Sequence, residues 1–417
     1  MSFGTRVVLG LLAGLAAGAA LAAIDSPALN RIIPVLEPLG ALWLNALRMT
    51  VIPLVVSMII TGVASAAETA ATGRIAMRAL LLFVGLLTFG AILGAVLTPL
   101  ALTAWPVSPQ AAEAFRAGAT QGTTAIPQLP PMREWIVNIV PANPFKSAAD
   151  GELLPLVVFA LLIGFAAARI KPQLRTSFLG FFQAVMETML VIVQWVLWVA
   201  PVGVFALALA VGARGGLHVA GALGQYLVMM SALSVVITLL AYPAVVLFGR
   251  VSLARFAKAM LPAQALAIST QSSLATLPVM LDCAQKQLGL PERVTSITLP
   301  LAVSLFRMTS PIVNISIIIF VAHVYGVHLD APRLAVGVAL AVVTSFGVVG
   351  LPSQLSLFNT TVPISLGMGV PLDLLPLLLA VEVIPDIFRT LGNVTSDVAV
   401  TAIVARGAGT AEHDFSK

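Results

Sequence analysis

The sequence predicts an all-α polytopic membrane protein, and three observations carry that prediction. The chain is 59% hydrophobic and only 9% charged, against about 25% charge in a soluble domain. Apolar segments recur along its 417 residues, and a helix of about 20 such residues crosses a hydrocarbon core about 30 Å thick. The last of them, Leu372 to Val404, carries Glu382, Asp386, Arg389, Asn393 and Asp397 at offsets of 4, 7, 11 and 15, the rhythm of one helix face. An ionisable residue at the bilayer centre costs about 2.5–3.5 kcal/mol on insertion scales, so such a stripe faces a polar interior rather than lipid.

In chain order, complete spans are expected near 7–24, 36–66, 76–103, 152–169, 178–212, 219–248 and 293–325. Val7 to Ile24 has the basic start of a signal peptide, but its apolar core is long and many spans follow, so it reads as an uncleaved first helix. Basic residues cluster in alternate connections, at Arg6, at Arg74 and Arg78, at Arg169, Lys171 and Arg175, and at Arg250, Arg255 and Lys258. That pattern puts both termini in the cytoplasm. The net charge of +5 is spread over these short loops and gives no sign of a nucleic-acid partner. Residues 104–151, rich in Pro, Ala and Gln, read as an extracytoplasmic loop, and the polar tail 407–417 as disordered.

Two apolar segments are broken. One holds Ser269-Thr270-Gln271-Ser272-Ser273 and then Pro278; the other holds Gly347, Gly350-Leu351-Pro352-Ser353-Gln354 and Asn359-Thr360-Thr361. Irregular backbone at membrane depth survives only inside protein or beside a water-filled cavity, so both read as re-entrant hairpins. Each precedes a complete span. Such a pairing points to inverted repeats, with a binding site at the broken tips.

Composition also excludes functions. A single cysteine, Cys283, rules out an intramolecular disulfide, and four scattered histidines without an HExxH pattern argue against a metal centre. Ser272-Ser273 lacks both a Gly-x-Ser-x-Gly elbow and a nearby histidine, so an intramembrane hydrolase is disfavoured. An anion channel would need a basic pore, whereas the stripe carries both signs. A guanidinium is a receptor for a carboxylate, and a carboxylate for an ammonium. The competing structural reading is a set of salt bridges, above all Arg389 with Glu382 on the same face.

These residues resemble the dicarboxylate/amino acid:cation symporter family, which includes the glutamate transporters. The likeness runs through Leu47 to Leu54, Asn143-Pro144-Phe145, Ala200 to Phe205, Ser272 to Pro278 and Thr298 to Leu301. It is densest in Asp386-Ile387-Phe388-Arg389-Thr390 and Asn393-Val394-Thr395-Ser396-Asp397. The resemblance implies eight transmembrane helices, two re-entrant hairpins, a homotrimer and an elevator-like slide. Scaffold helices would occupy 1–72 and 152–213. The transport domain would comprise 73–103 and 214–406, with hairpins near 253–290 and 334–370. It further implies a secondary transporter of acidic amino acids, L-aspartate or L-glutamate, in a bacterial inner membrane. It implies no enzymatic activity, no bound cofactor and no partners beyond substrate, lipid and coupling ion. By the resemblance, Asp386 would hold the substrate amino group, Arg389 its side-chain carboxylate and Asn393 its α-carboxylate. Thr390, Ser310, Ser272, Ser273, Gly350 and Pro352 would complete the site.

The chain departs from the family at its sodium sites. The helix-7 motif Asn-Met-Asp-Gly-Thr aligns with Phe306-Arg307-Met308-Thr309-Ser310, which replaces two sodium ligands by Phe306 and Met308. Helix-3 ligands align with Phe83, Leu86 and Leu87, and a second-hairpin threonine with Val348. One sodium-site aspartate persists as Asp397. Sodium-independent transport is therefore expected, with Arg307 standing in for an ion beside Asp397. Protons carried at Glu382, Asp386 or Asp397 are the candidate coupling ion, and uncoupled exchange or facilitated diffusion fits the sequence equally. The alternative is a sodium-coupled symporter of C4-dicarboxylates or amino acids.

Overall fold

The structure is a computed structural model that describes residues 3–24, 33–71, 73–118, 137, 139–150, 152–346 and 353–413. These are almost wholly helical. Five stretches are long and apolar enough to cross a membrane: Pro38–Glu68, Arg74–Ala104, Pro172–Trp198, His218–Gly249 and Glu292–Tyr325.

The first half supplies α1 (Phe3–Ile24), α2 (Ile33–Ala71), α3 (Arg74–Ala104), α4 (Pro109–Gly118), α5 (Pro144–Ala149), α6 (Leu153–Ala167), α7 (Pro172–Trp198) and α8 (Ala200–Ala244). Helix α1 lies along α8, and α2 packs on α6 and α7. Small residues permit the α1–α8 approach. A Cβ added at Gly14 would sit 2.6 Å from the Phe205 carbonyl oxygen. Two differences from expectation arise here. The segment 104–151 contains a packed helix: α4 lies on α8 and buries Ala111, Ala114 and Phe115, an i, i+3, i+4 set that makes one apolar face. And α8 runs unbroken through Ala213-Arg214, where the expected spans 178–212 and 219–248 were separated.

The second half has a recurring plan. Helices α9 (Leu253–Thr270) and α10 (Ser273–Asp282) form a hairpin. Its tip turns at Gln271, whose φ of 49° is left-handed, and Ser272 caps α10 by accepting from the Ala275 amide at 3.2 Å. After it come α11 (Glu292–Leu305) and α12 (Thr309–Tyr325). Helices α13 (Ala331–Ser345) and α14 (Ser353–Gly367) pack as a second hairpin, followed by α15 (Leu375–Val381) and α16 (Val383–His413). Each hairpin thus precedes a helix in two pieces, broken at Phe306-Arg307-Met308 and at Glu382. The expected span 293–325 is thus one stretch, Glu292–Tyr325, made of two helical pieces. The tail is also corrected: α16 continues to His413, and Arg78 of α3 donates to the Gly407 carbonyl.

At the centre lies α12. Every side chain from Thr309 to Tyr325 except His323 is buried, so this helix is shielded by protein rather than lipid. It packs against α3, where Thr98 donates to Ser316 at 2.6 Å.

Candidate functional site

The site forms where the break between α11 and α12 meets the start of α16. Phe306 leaves the helix with φ −110° and ψ 85°, which frees the amide of Thr309 from intrahelical bonding. Asn393 fills that need: its Oδ1 accepts from the Thr309 amide at 3.0 Å and from the Thr309 hydroxyl at 2.9 Å. The Thr309 hydroxyl also lies 3.2 Å from the Arg389 carbonyl. Helix α16 is thereby locked by its polar face onto the break between α11 and α12. Gly392 allows the contact, since a Cβ there would come within 2.6 Å of both Thr238 Oγ1 and Thr309 Cγ2.

The stripe read from the sequence is buried as a unit. Glu382 and Asp397 are 0% exposed, Asp386 4%, Arg389 5% and Asn393 3%. Arg389 is the hub. One of its terminal nitrogens donates to Glu382 Oε1 at 2.8 Å, and the other reaches Asn314 Oδ1 at 3.2 Å and Ser310 Oγ at 3.5 Å. The second oxygen of Glu382 accepts from the Tyr226 hydroxyl of α8 at 2.8 Å. Asn314 in turn donates to Thr360 of α14 at 2.8 Å. Three elements outside α16 therefore hold the guanidinium and its carboxylate in a fixed plane. Asp386 lies in the first turn of α16, where the unpaired amides of the helix start favour a negative charge.

Arg307, half-buried in the break between α11 and α12, lies in the electrostatic field of Arg389, Asp386 and Asp397. Neither carboxylate oxygen of Asp397 accepts a hydrogen bond from a described residue. Arg307 acts electrostatically on both aspartates.

The positions aligned with sodium ligands do not fit an oxygen cage. Phe83 stacks on Phe306 with ring centroids 4.7 Å apart and planes 19° from parallel. Both are buried, as are Leu87 and Met308, and the Met308 chain packs against Gly90 of α3. Replacements scattered in sequence are thus one apolar plug in space. Among described residues no cluster of His, Cys, Asp or Glu is built to hold a metal ion.

Other expected residues lie apart or are undescribed. Thr390 is buried on the same face. Ser272 is committed to capping α10, and neither it nor Ser273 hydrogen-bonds to the stripe; hairpin 1 meets α16 instead through Gln264, which donates to Thr395 at 3.0 Å. Gly350, Pro352 and Val348 lie outside the described residues. Sequence reasoning missed Tyr226, Asn314, Thr309 and Thr360. Tyr226 and Asn314 had a usable signal, as strongly hydrogen-bonding groups in mostly apolar helices.

Opposed charges enclosed between paired hairpins and broken helices define a membrane carrier, not an enzyme. The description "Sodium:dicarboxylate symporter family" matches residues 3–407, and the chain belongs to that family. It is 29% identical over 412 residues to a proton/sodium-glutamate symport protein of Bacillus subtilis, covering 97% of this chain and 92% of that protein. It is 26% identical over 388 residues to a proton/glutamate-aspartate symporter of Escherichia coli, with 93% and 87% covered. A neutral amino acid transporter B(0) of Oryctolagus cuniculus is 29% identical over 445 residues, covering 98% of this chain and 78% of that protein.

Proposed function

We propose that this protein is a secondary transporter of acidic amino acids, L-aspartate or L-glutamate, in a bacterial inner membrane, with no sodium requirement and with protons as its coupling ion. The observation that carries the substrate class is Arg389. A buried guanidinium that already holds a carboxylate, Glu382 Oε1 at 2.8 Å, is chemically ready to hold another. Asp386, one helical turn before it, suits a substrate ammonium. Asn393 and Thr390 line the same face, and the tips at Ser272, Ser273, Gly350 and Pro352 are proposed to contribute backbone groups to the site. The names of the Bacillus subtilis and Escherichia coli relatives, which specify glutamate or glutamate and aspartate, support the acidic class.

The loss of sodium is supported by the Phe83–Phe306 stack and buried Met308. A hard cation takes carbonyl, carboxylate and water oxygens, and these side chains offer none. A family-type architecture is proposed on the same footing. It comprises eight transmembrane helices with re-entrant hairpins, a trimer, scaffold helices moving against a transport domain, and both termini in the cytoplasm. A specific observation favours a second reading: the family description and one relative's name both include sodium, so a sodium-coupled C4-dicarboxylate or amino acid symporter is the alternative. Uptake of L-[³H]aspartate into proteoliposomes separates the two. Sodium-free uptake that succinate fails to inhibit is expected; strict sodium dependence or potent inhibition by succinate would favour the alternative.

A further inference from the structure

We propose that Glu382 carries the co-transported proton, taking it up when the substrate carboxylate displaces it from Arg389. The inference rests on the reading of the protein as a carrier of acidic amino acids and assigns the coupling group that reading leaves open.

The argument begins with charge. The site holds two guanidinium groups, Arg307 and Arg389, and three carboxylates, Glu382, Asp386 and Asp397. Fully ionised, it carries one negative charge in excess, and an acidic amino acid brings another. Placing a second uncompensated charge in a desolvated site is costly, so a cation must enter with the substrate. The apolar plug at Phe83, Phe306 and Met308 removes the oxygen cage for a metal cation. A proton needs only one carboxylate.

Geometry selects which one. Asp386 has the start of α16 to favour its charge, and it is the proposed partner of the substrate ammonium. The electrostatic partner of Asp397 is Arg307, which substrate binding does not recruit. Glu382 has as its cation the very group the substrate needs, at 2.8 Å. When the guanidinium turns to the substrate, Glu382 keeps only the Tyr226 hydroxyl on Oε2. The charged and titratable groups acting on Glu382 are Arg389, Tyr226 and Asp386. Its neighbours α14 and α15 carry no charged residue, and α1 carries only exposed Arg6. A carboxylate deprived of its cation there takes a proton. The step balances simply: water at the outer face gives a proton to a carboxylate oxygen of Glu382, one O–H bond forms, and the guanidinium stays protonated throughout. Release of substrate to the cytoplasm returns Arg389 to Glu382 and expels the proton there.

The test is L-aspartate binding to purified protein in sodium-free, weakly buffered solution with a pH-indicating dye. Wild type is expected to take up about one proton per aspartate bound, with Kd rising by up to about tenfold per pH unit as pH increases, the limit for one linked proton. Glu382→Gln is expected to bind with a Kd independent of pH, to take up no proton, and in proteoliposomes to exchange aspartate without concentrating it along an imposed pH gradient. Should Glu382→Gln fail to fold, Tyr226→Phe decides. Loss of a donor to the carboxylate moves the midpoint of the binding–pH curve to higher pH, whereas an unmoved midpoint overturns the assignment. Proton uptake that survives Glu382→Gln also overturns it, as does wild-type binding without proton uptake. Absence of aspartate binding by wild type overturns the substrate reading beneath it.

Discussion

At the scale of single residues, the account turns on charges whose partners are as buried as they are. Arg389 is held by Glu382, Asn314 and Ser310, so its truncation removes the proposed substrate contact and strands a buried carboxylate. Losing one member of such a pair costs roughly 2–5 kcal/mol. Arg389→Ala is therefore expected to weaken L-aspartate binding by about thirtyfold or more, read by calorimetry at constant pH. Among the described residues, Arg307 is the charged group that acts on Asp397. Arg307→Met is expected to weaken substrate binding by about tenfold or more, and Arg307→Lys far less, because breaking a buried charge pair costs more than altering its geometry. Unchanged affinity in Arg307→Met would remove Arg307 from the account. The stripe itself was legible in the sequence, because charged residues at helical spacing stand out against leucine and valine. Its partners were not. Tyr226 and Glu382 are 156 positions apart, and only the packing of α8 on α16 brings them together.

At the scale of elements, the hairpin tip at Gln271-Ser272 was legible because polar residues interrupted an apolar run. The break between α11 and α12 was not, because Phe306 and Met308 look like a continuation of the helix. Their role comes from tertiary packing: Phe306 leaves the helix to stack on Phe83 of α3. Conversely, Arg214-Gly215-Gly216 looked like a boundary, yet α8 continues through it, since glycine costs a helix only about 1 kcal/mol each and packing against α1 can outweigh that. The α1–α8 contact leaves no room for bulk at Gly14, whose added Cβ would press on a backbone oxygen at 2.6 Å. Gly14→Val is expected to separate these helices and cost about 1–3 kcal/mol, seen as a lower thermal transition in detergent with substrate specificity unchanged in the protein that remains folded.

At the scale of the whole molecule, polytopic membrane character was legible from composition alone, and the family from motifs spread along the chain. How the pieces meet required the structure. Arg48 of α2 reaches Asp373, between α14 and α15, at 3.1 Å. It thus ties a proposed scaffold helix to the proposed transport domain. A single pair left open to solvent only on its arginine side contributes on the order of 1 kcal/mol, which suits a contact that forms and breaks during a cycle. Arg48→Ala is expected to change the rate of aspartate exchange several-fold, the scale of that energy, with equilibrium affinity nearly unchanged. A large loss of affinity would instead tie Arg48 to the binding site. The central claim is that an acidic amino acid binds with its charge balanced by protein groups and a proton, not by sodium. Calorimetric titration of the purified protein with L-aspartate, in sodium-free choline chloride and again in sodium chloride at equal ionic strength and pH, tests it most directly. The account predicts the same Kd in both; binding that appears only with sodium, or tightens steeply with its concentration, would contradict it.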